Sequence, residues 1–270
     1  MRERPAGRER PPARIILAVT LIALLAVVTI VGALTVFQLP ESVTEQGDDV
    51  TVLYQVVLAI SFLIFFLVTA GIIWAIFRYK RTGPEIPEQI HGSSVLEMAW
   101  TVVPVIILVA LFIPALILVI NLKTPPSDPE VTVEAIGHQW WWEFVYEDEG
   151  IRIQQTPPDY ENLDPPVLVV PVDREILINV RSTDVVHSFA APSTLYKIQA
   201  IPGSVNQMHV TITDPGTYAG QCYQFCGLRH SDMLFILDAR EPAAYEQWLR
   251  ETQAAQGVRG SDQARAGGED

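Results

Sequence analysis

The chain has 270 residues; 49% are hydrophobic and 18% are charged, a mixture that argues against one uniform fold and for a membrane part joined to a soluble part. Residues 1–127 carry nine Lys/Arg and nine Asp/Glu, so the whole net charge of −13 falls on residues 128–270, where nine cations face twenty-two anions. An acidic outer half argues against nucleic-acid binding and suits a cationic partner attracted over long range, although solubility alone also accounts for it.

In chain order, three uncharged segments come first: Ile15 to Phe37, Val52 to Phe77 and Met98 to Leu122. Each exceeds the roughly 20 residues that a helix needs to cross the hydrocarbon layer. Pro104 and Pro114 fall inside the third, which membrane helices tolerate when neighbours satisfy the freed carbonyls. Arg2, Arg4, Arg8, Arg10 and Arg14 precede the first segment, residues 38–51 hold no cation, and Arg78, Lys80 and Arg81 follow the second. The positive-inside bias therefore places the N-terminus and the 78–97 loop on the cytoplasmic side, and everything after Lys123 outside. The first segment reads as a signal peptide or an extra transmembrane helix. Its apolar stretch is long and Gly32-Ala33-Leu34 is a poor cleavage site, which favours retention. The expected organisation is residues 1–37 as this hydrophobic segment, 38–127 as a transmembrane hairpin, 128–250 as a β-domain and 251–270 as a disordered tail.

The outer part predicts seven short strands: Thr132–Ile136, Trp140–Tyr146, Val167–Val170, Ile176–Val180, Val205–Ile212, Thr217–Gln221 and Met233–Ala239. They are rich in β-branched and aromatic residues, and Pro, Gly and Asp separate them. That number over so short a span suggests a sandwich or barrel. Pro242 to Arg250 predicts a closing helix with Tyr245, Trp248 and Leu249 as its apolar side.

The only two cysteines, Cys222 and Cys226, lie in the run Cys222-Tyr223-Gln224-Phe225-Cys226-Gly227-Leu228-Arg229-His230-Ser231-Asp232-Met233. No Cys-x-x-Cys-His is present, so no c-type haem is attached in this way. Two thiolates, an imidazole and a thioether fall within twelve residues, and His187 lies upstream. Thiolate, imidazole and a weak thioether form the ligand set of electron-transfer copper. A one-copper site of this kind uses one cysteine. Two thiolates four positions apart can bridge two coppers, each finished by one imidazole, with Met233 and a carbonyl of the loop as weak ligands. A Cys222–Cys226 disulfide is the plainer alternative on the oxidising side of a membrane. Zinc has little use for methionine. His91, His138 and His209 lack partners at ligand spacing.

The run from Cys222 to Met233 resembles the copper A loop of cytochrome c oxidase subunit II. Three more stretches resemble the same family: Glu97-Met98-Ala99-Trp100-Thr101, Gly137-His138-Gln139-Trp140-Trp141-Trp142 and Asp184-Val185-Val186-His187-Ser188. The likeness covers about residues 50 to 250 in the same motif order. It implies a membrane helical hairpin carrying an all-β, cupredoxin-like Greek-key domain, to which the first segment is additional. It also implies that Cys222 and Cys226 bridge the coppers, His187 and His230 are terminal ligands, and Met233 and the Gln224 carbonyl are axial. The family usually has Glu at position 224, whose side chain also reaches a magnesium ion at the boundary with subunit I. Gln224 keeps the carbonyl and loses the carboxylate, which puts the magnesium in doubt.

By the same resemblance, Trp140 is the tryptophan through which electrons arrive from cytochrome c, and Glu97 lies at the mouth of a proton path into subunit I. Strand alternation would put Trp140 and Trp142 on one face and Trp141 on the other. An ordinary carboxylate at a helix N-terminus is the bland reading of Glu97. Glu143, Glu147, Asp148, Glu149, Asp159, Glu161, Asp164 and Asp184 form an acidic set that could steer a cationic donor. The function implied is that of an oxidase subunit in a bacterial plasma membrane, relaying electrons to haem in subunit I for proton-coupled reduction of oxygen to water. Three rivals fit less well. Quinol oxidase subunit II lacks copper ligands, Sco-type copper chaperones resemble thioredoxin with a single span, and nitrous oxide reductase needs a second copper domain.

Overall fold

The computed structural model describes residues 37–80, 83, 92–154 and 164–258, together with positions 20, 23, 24, 27, 31 and 35. Those six positions are helical; otherwise the first hydrophobic segment lies outside the described residues. The chain divides into two compact units, Met1–Gln38 with Tyr54–Leu108, and Leu39–Leu53 with Val109–Asp270.

Among the described residues, two helices are long and apolar enough to cross a membrane, α1 (Glu45–Arg78) and α2 (Ser94–Lys123). At about 1.5 Å per residue each is longer than a hydrocarbon core of about 30 Å. Both carry acid in the first turn and a cation in the last, which complements the helix dipole: Glu45 and Asp48 with Arg78, and Glu97 with Lys123. Helix α2 continues through Pro104 and Pro114. Apolar side chains such as Phe65, Leu67, Ile106 and Leu108 stand exposed along both helices, as lipid-facing residues do.

The second unit carries a β-sandwich, with ten strands among the described residues. One sheet runs β3 (Ile151–Gln154), β2 (Trp141–Tyr146), β1 (Val131–His138), β5 (Glu175–Ser182), β8 (Asn206–Thr211). The other runs β4 (Val167–Pro171), β10 (Leu234–Arg240), β9 (Gly216–Cys222), β6 (His187–Ala190), β7 (Ile198–Ala200). β1 pairs with β5 in parallel, as does β10 with β4, and the other pairs are antiparallel. Alternation along β1 turns Val131, Val133 and Ala135 inward and leaves Thr132 and Glu134 half-buried. Between the sheets, the Phe189 and Phe235 rings stack at 4.5 Å, with Trp142 and Phe144 meeting them edge-on.

Three strands, β3, β6 and β7, are additional to the seven expected. β7 spans three residues and β3 four, too short to show a period. β6 is His-Ser-Phe-Ala, buried along its whole length, so it shows no alternation. Trp140 also departs from expectation. It lies in the turn before β2, so strand alternation does not apply to it; Trp142 is fully buried, while Trp140 and Trp141 are half-buried. The closing helix α3 (Pro242–Gln256) runs past Arg250 because Gln253 and Gln256 hydrogen-bond the carbonyls of Glu149 and Arg152. The tail expected from residue 251 thus begins as helix, and residues 259–270 lie outside the described residues.

Within this unit, the outer ends of both membrane helices bond to the sandwich. Thr44 bridges Ile212 and donates to the Thr194 carbonyl, and Gln46 accepts from the Thr211 N–H. At the end of α2, Tyr196 donates to the Leu122 carbonyl and His209 to that of Asn121.

Candidate metal centre

Four elements bring the candidate sulfur and nitrogen ligands together. Cys222 ends β9, Cys226 lies in the following loop, His230 opens a 3-10 turn (His230–Asp232), and Met233 leads into β10. The β9–β10 pair closes the loop at its base, where the Cys222 N–H donates to the Met233 carbonyl at 3.0 Å. β6 lies beside β9 with Phe189 opposite Cys222, so sheet register carries His187 to the loop from 35 residues upstream.

The candidate ligand atoms converge. Sγ of Cys222 lies 3.9 Å from Sγ of Cys226. Nδ1 of His187 is 3.9 Å from the Cys222 sulfur, and Nδ1 of His230 is 3.6 Å from the Cys226 sulfur. Sδ of Met233 lies 3.9 Å from the Cys226 sulfur, and the Gln224 carbonyl oxygen 3.2 Å from that of Cys222. His187 and Met233 are wholly buried, and both cysteines nearly so. Both thiols are free, since a disulfide would need sulfurs about 2.05 Å apart.

Electrostatics favour a cation between the sulfurs. Burial raises the Cys222 thiol, but hydrogen bonds from His187 and at Ser188 and Gln224 outweigh it and bring it down to about 7. Burial, with the charge of Cys222 beside it, pushes Cys226 up to about 12. Without a cation one sulfur ionises and holds the other as a thiol; a bound metal relieves that repulsion. His187 places Nε2 2.8 Å from the Asp184 carboxylate. That bond keeps a proton on Nε2, so once a metal displaces the Nδ1 proton shared with the Cys222 sulfur, the Nδ1 lone pair faces the sulfurs, as a metal-ligating histidine needs. Burial opposes ionisation of Asp184, yet hydrogen bonds from His187 and from the Val185 and Gln139 N–H groups hold its carboxyl below the usual range. Two thiolates, two imidazoles through Nδ1 and a buried thioether fit copper by softness, and the thioether counts against zinc.

Two glycines leave room for this arrangement. A Cβ on Gly137 would come within 2.9 Å of the His187 ring. Gly227 has φ +127°, and a Cβ there would come within 3.0 Å of the Trp140 indole nitrogen. That indole donates to the Cys226 carbonyl at 3.2 Å, so Trp140 touches the loop that carries the sulfurs.

The acidic set divides. Glu143 is buried and bound to His138 and Arg152, and so is not free to meet a partner; alternation in β2 puts it on the face opposite the core residues Trp142 and Phe144, where His138 and Arg152 cover it. Asp184 serves His187. Glu147 and Asp148 are exposed in the turn after β2, Glu149 is half-buried, Asp164 is exposed, and Asp159 and Glu161 lie outside the described residues. Glu97 lies exposed in the first turn of α2, in the other unit, and is not part of the cluster. His138 stacks on Trp141 at 4.0 Å and bonds to Thr183 and Glu143. Sequence reasoning missed Gly137, Gln139 and Gly227, and took Asp184 for a surface charge. The three-residue spacing of Asp184 and His187 was the signal for the latter.

Residues 131–240 match the family described as cytochrome C oxidase subunit II, periplasmic domain, and residues 32–118 match its transmembrane domain. Cytochrome c oxidase subunit 2 of Alkalihalophilus pseudofirmus is 35% identical over 193 residues, which cover 70% of this chain and 52% of that one. The subunit 2 of Oenothera berteroana is 33% identical over 73% of this chain and 81% of its own. The match thus spans about half the length of the bacterial relative and about four fifths of the plant one. The crystal structure of the periplasmic domain of CoxB from Bradyrhizobium japonicum is 28% identical over 49% of this chain and 99% of that one, with a TM-score of 0.43.

Proposed function

The chain belongs to the cytochrome c oxidase subunit II family, and from that premise we propose that it receives electrons at a binuclear copper centre and relays them to a haem-bearing subunit I. Bound there, the copper pair supplies a one-electron store shared between two metals. Cys222, Cys226, His187 and His230 would hold the pair, with Met233 and the Gln224 carbonyl as weaker ligands. The observation that supports this most is the convergence of His187 with the Cys222–Met233 loop, since neither segment alone holds enough ligands.

The protein's own residues do the rest. Burial of Cys222, Cys226 and Met233 keeps water from the sulfurs. Asp184 holds the His187 tautomer. Trp140, bonded to the Cys226 carbonyl, is where electrons would enter from cytochrome c or a similar cationic donor. Exposed Glu147 and Asp148 would raise the association rate of that donor. Glu97 would stand at the mouth of a proton path into subunit I, which would reduce oxygen to water and pump protons. A magnesium ion would meet a carboxamide at Gln224 rather than a carboxylate. The basic flanks support a bacterial plasma membrane with the β-domain outside.

The family's copper-free quinol oxidase branch lacks this ligand set. In a thioredoxin-like chaperone the cysteine pair would open a helix, whereas here it lies between β9 and β10. The test is rapid mixing of the copper-loaded full-length chain with reduced cytochrome c. We expect cytochrome oxidation matched by copper reduction, slowed at least tenfold by Trp140→Phe. No electron transfer from cytochrome c to a fully loaded chain would refute the role.

A further inference from the structure

Gln139 sits in the turn between β1 and β2, beside Trp140 and exposed to solvent. Its position invites the reading of one more donor contact, but its hydrogen bonds point inward. The side-chain Nε2 donates to the Cys226 carbonyl at 2.8 Å, the same oxygen that accepts from the Trp140 indole at 3.2 Å. Its backbone N–H donates to Oδ2 of Asp184 at 2.6 Å, and Oδ1 of Asp184 is the atom bonded to His187. Residue 139 is therefore tied to the Cys226 side of the cluster through its side chain and to the His187 side through its backbone.

The loop needs such a tie. Phe225 and Leu228, which flank Cys226, are 77% and 90% exposed, so no apolar anchor of their own seats the loop. Among the described residues, the hydrogen bonds that tie residues 224–228 to the fold outside the Cys222–Met233 run are the two at the Cys226 carbonyl. Gly227 makes room for both donors, since a Cβ there would lie 3.0 Å from the indole nitrogen and 3.3 Å from the Gln139 amide nitrogen. Two N–H groups thus donate to the backbone carbonyl of a candidate sulfur ligand. Donation to the residue that carries a ligand draws electron density from it, which favours the state with the extra electron.

We propose that Gln139 is a positioning residue of the copper centre: its side-chain amide seats the Cys226 loop and holds the reduced state in favour, rather than meeting the electron donor. The proposal rests on the copper reading above. It is tested with the full-length chain loaded with copper, as wild type, Gln139→Met and Gln139→Arg. The Met variant keeps side-chain length and the backbone N–H but loses the side-chain donor; the Arg variant restores an N–H donor.

For Gln139→Met we expect altered copper hyperfine splitting in electron paramagnetic resonance. We also expect its electron-exchange equilibrium with a fixed mediator to move about threefold toward oxidised copper, the scale of losing part of one neutral hydrogen bond. Gln139→Arg should recover at least half of both changes. Should Gln139→Met fold poorly, Trp140→Phe removes the second donor to the same oxygen and should move the equilibrium the same way. An unchanged spectrum and equilibrium in Gln139→Met, with only the reaction with cytochrome c slowed, would make Gln139 a donor contact and overturn the proposal. Absence of copper from the wild-type chain would instead overturn the copper reading itself.

Discussion

Gly137→Ala adds one methyl group and tests how closely His187 is held. The new Cβ would lie 2.9 Å from Cδ2, 3.2 Å from Cγ and 3.3 Å from Cβ of His187. Carbon atoms rest at roughly 3.5 to 4.0 Å, so the ring must retreat by about 0.6 to 1 Å. It has little room: His187 is fully buried, with the Trp142 ring edge-on to it at 6.1 Å and Asp184 holding its Nε2 at 2.8 Å. Overpacking of this kind costs about 1–3 kcal/mol of stability. Metal–nitrogen bonds tolerate shifts of only about 0.2 Å, so the larger loss falls on the metal. We expect copper affinity, measured by competition with a chelator, to drop at least tenfold, with altered hyperfine splitting. Thermal unfolding of the metal-free chain should fall by only a few degrees. Wild-type affinity and spectrum in a folded Gly137→Ala chain would mean that His187 is not a ligand, and the ligand assignment would fail with it.

Metal affinity should depend on pH in a definite way. With Cys222 titrating at about 7 and Cys226 at about 12, loading displaces at least two protons below pH 7 and one above it. Affinity should therefore rise about a hundredfold or more per pH unit below pH 7 and about tenfold per unit between pH 7 and 9; a flat profile in chelator competition would contradict the assignment of both thiols. Far from the centre, the buried Tyr146 hydroxyl donates to the Val169 carbonyl at 2.6 Å and accepts from the Val169 N–H at 2.9 Å. Tyr146→Phe strands both groups and should cost about 1–3 kcal/mol in denaturant unfolding while leaving the copper spectrum unchanged. Glu97→Gln should slow proton uptake by the assembled oxidase while leaving electron transfer from cytochrome c to copper intact; equal loss of both would remove Glu97 from the proton path.

The membrane helices and most strands were legible in the sequence because their signals are local. Val52 to Phe77 has no charge to interrupt it, and Glu175 to Arg181 alternates in sequence as a half-buried strand should, with only Leu177 buried out of step. The sulfur groups and His230 were legible as a candidate set because they share one loop. His187 could be named from the sequence only as an upstream imidazole; the pairing of β6 with β9 is what brings it there. What the sequence hid is tertiary. Glu143 reads as a surface acid until register buries it against His138 and Arg152. Gln139 reads as a polar turn residue until its amide is found on the Cys226 carbonyl. No periodicity encodes a hydrogen bond across 87 residues.

The central claim is that two sulfurs clamp two metals into one redox unit. Sulfurs 3.9 Å apart, with an imidazole nitrogen beside each, are the observation on which it rests. The direct test is copper analysis of the full-length loaded chain, with electron paramagnetic resonance and X-ray absorption on the same sample. The account predicts two coppers per chain, one unpaired electron shared equally by both, and a short metal–metal vector. One copper per chain, or two with no short metal–metal vector, would contradict it.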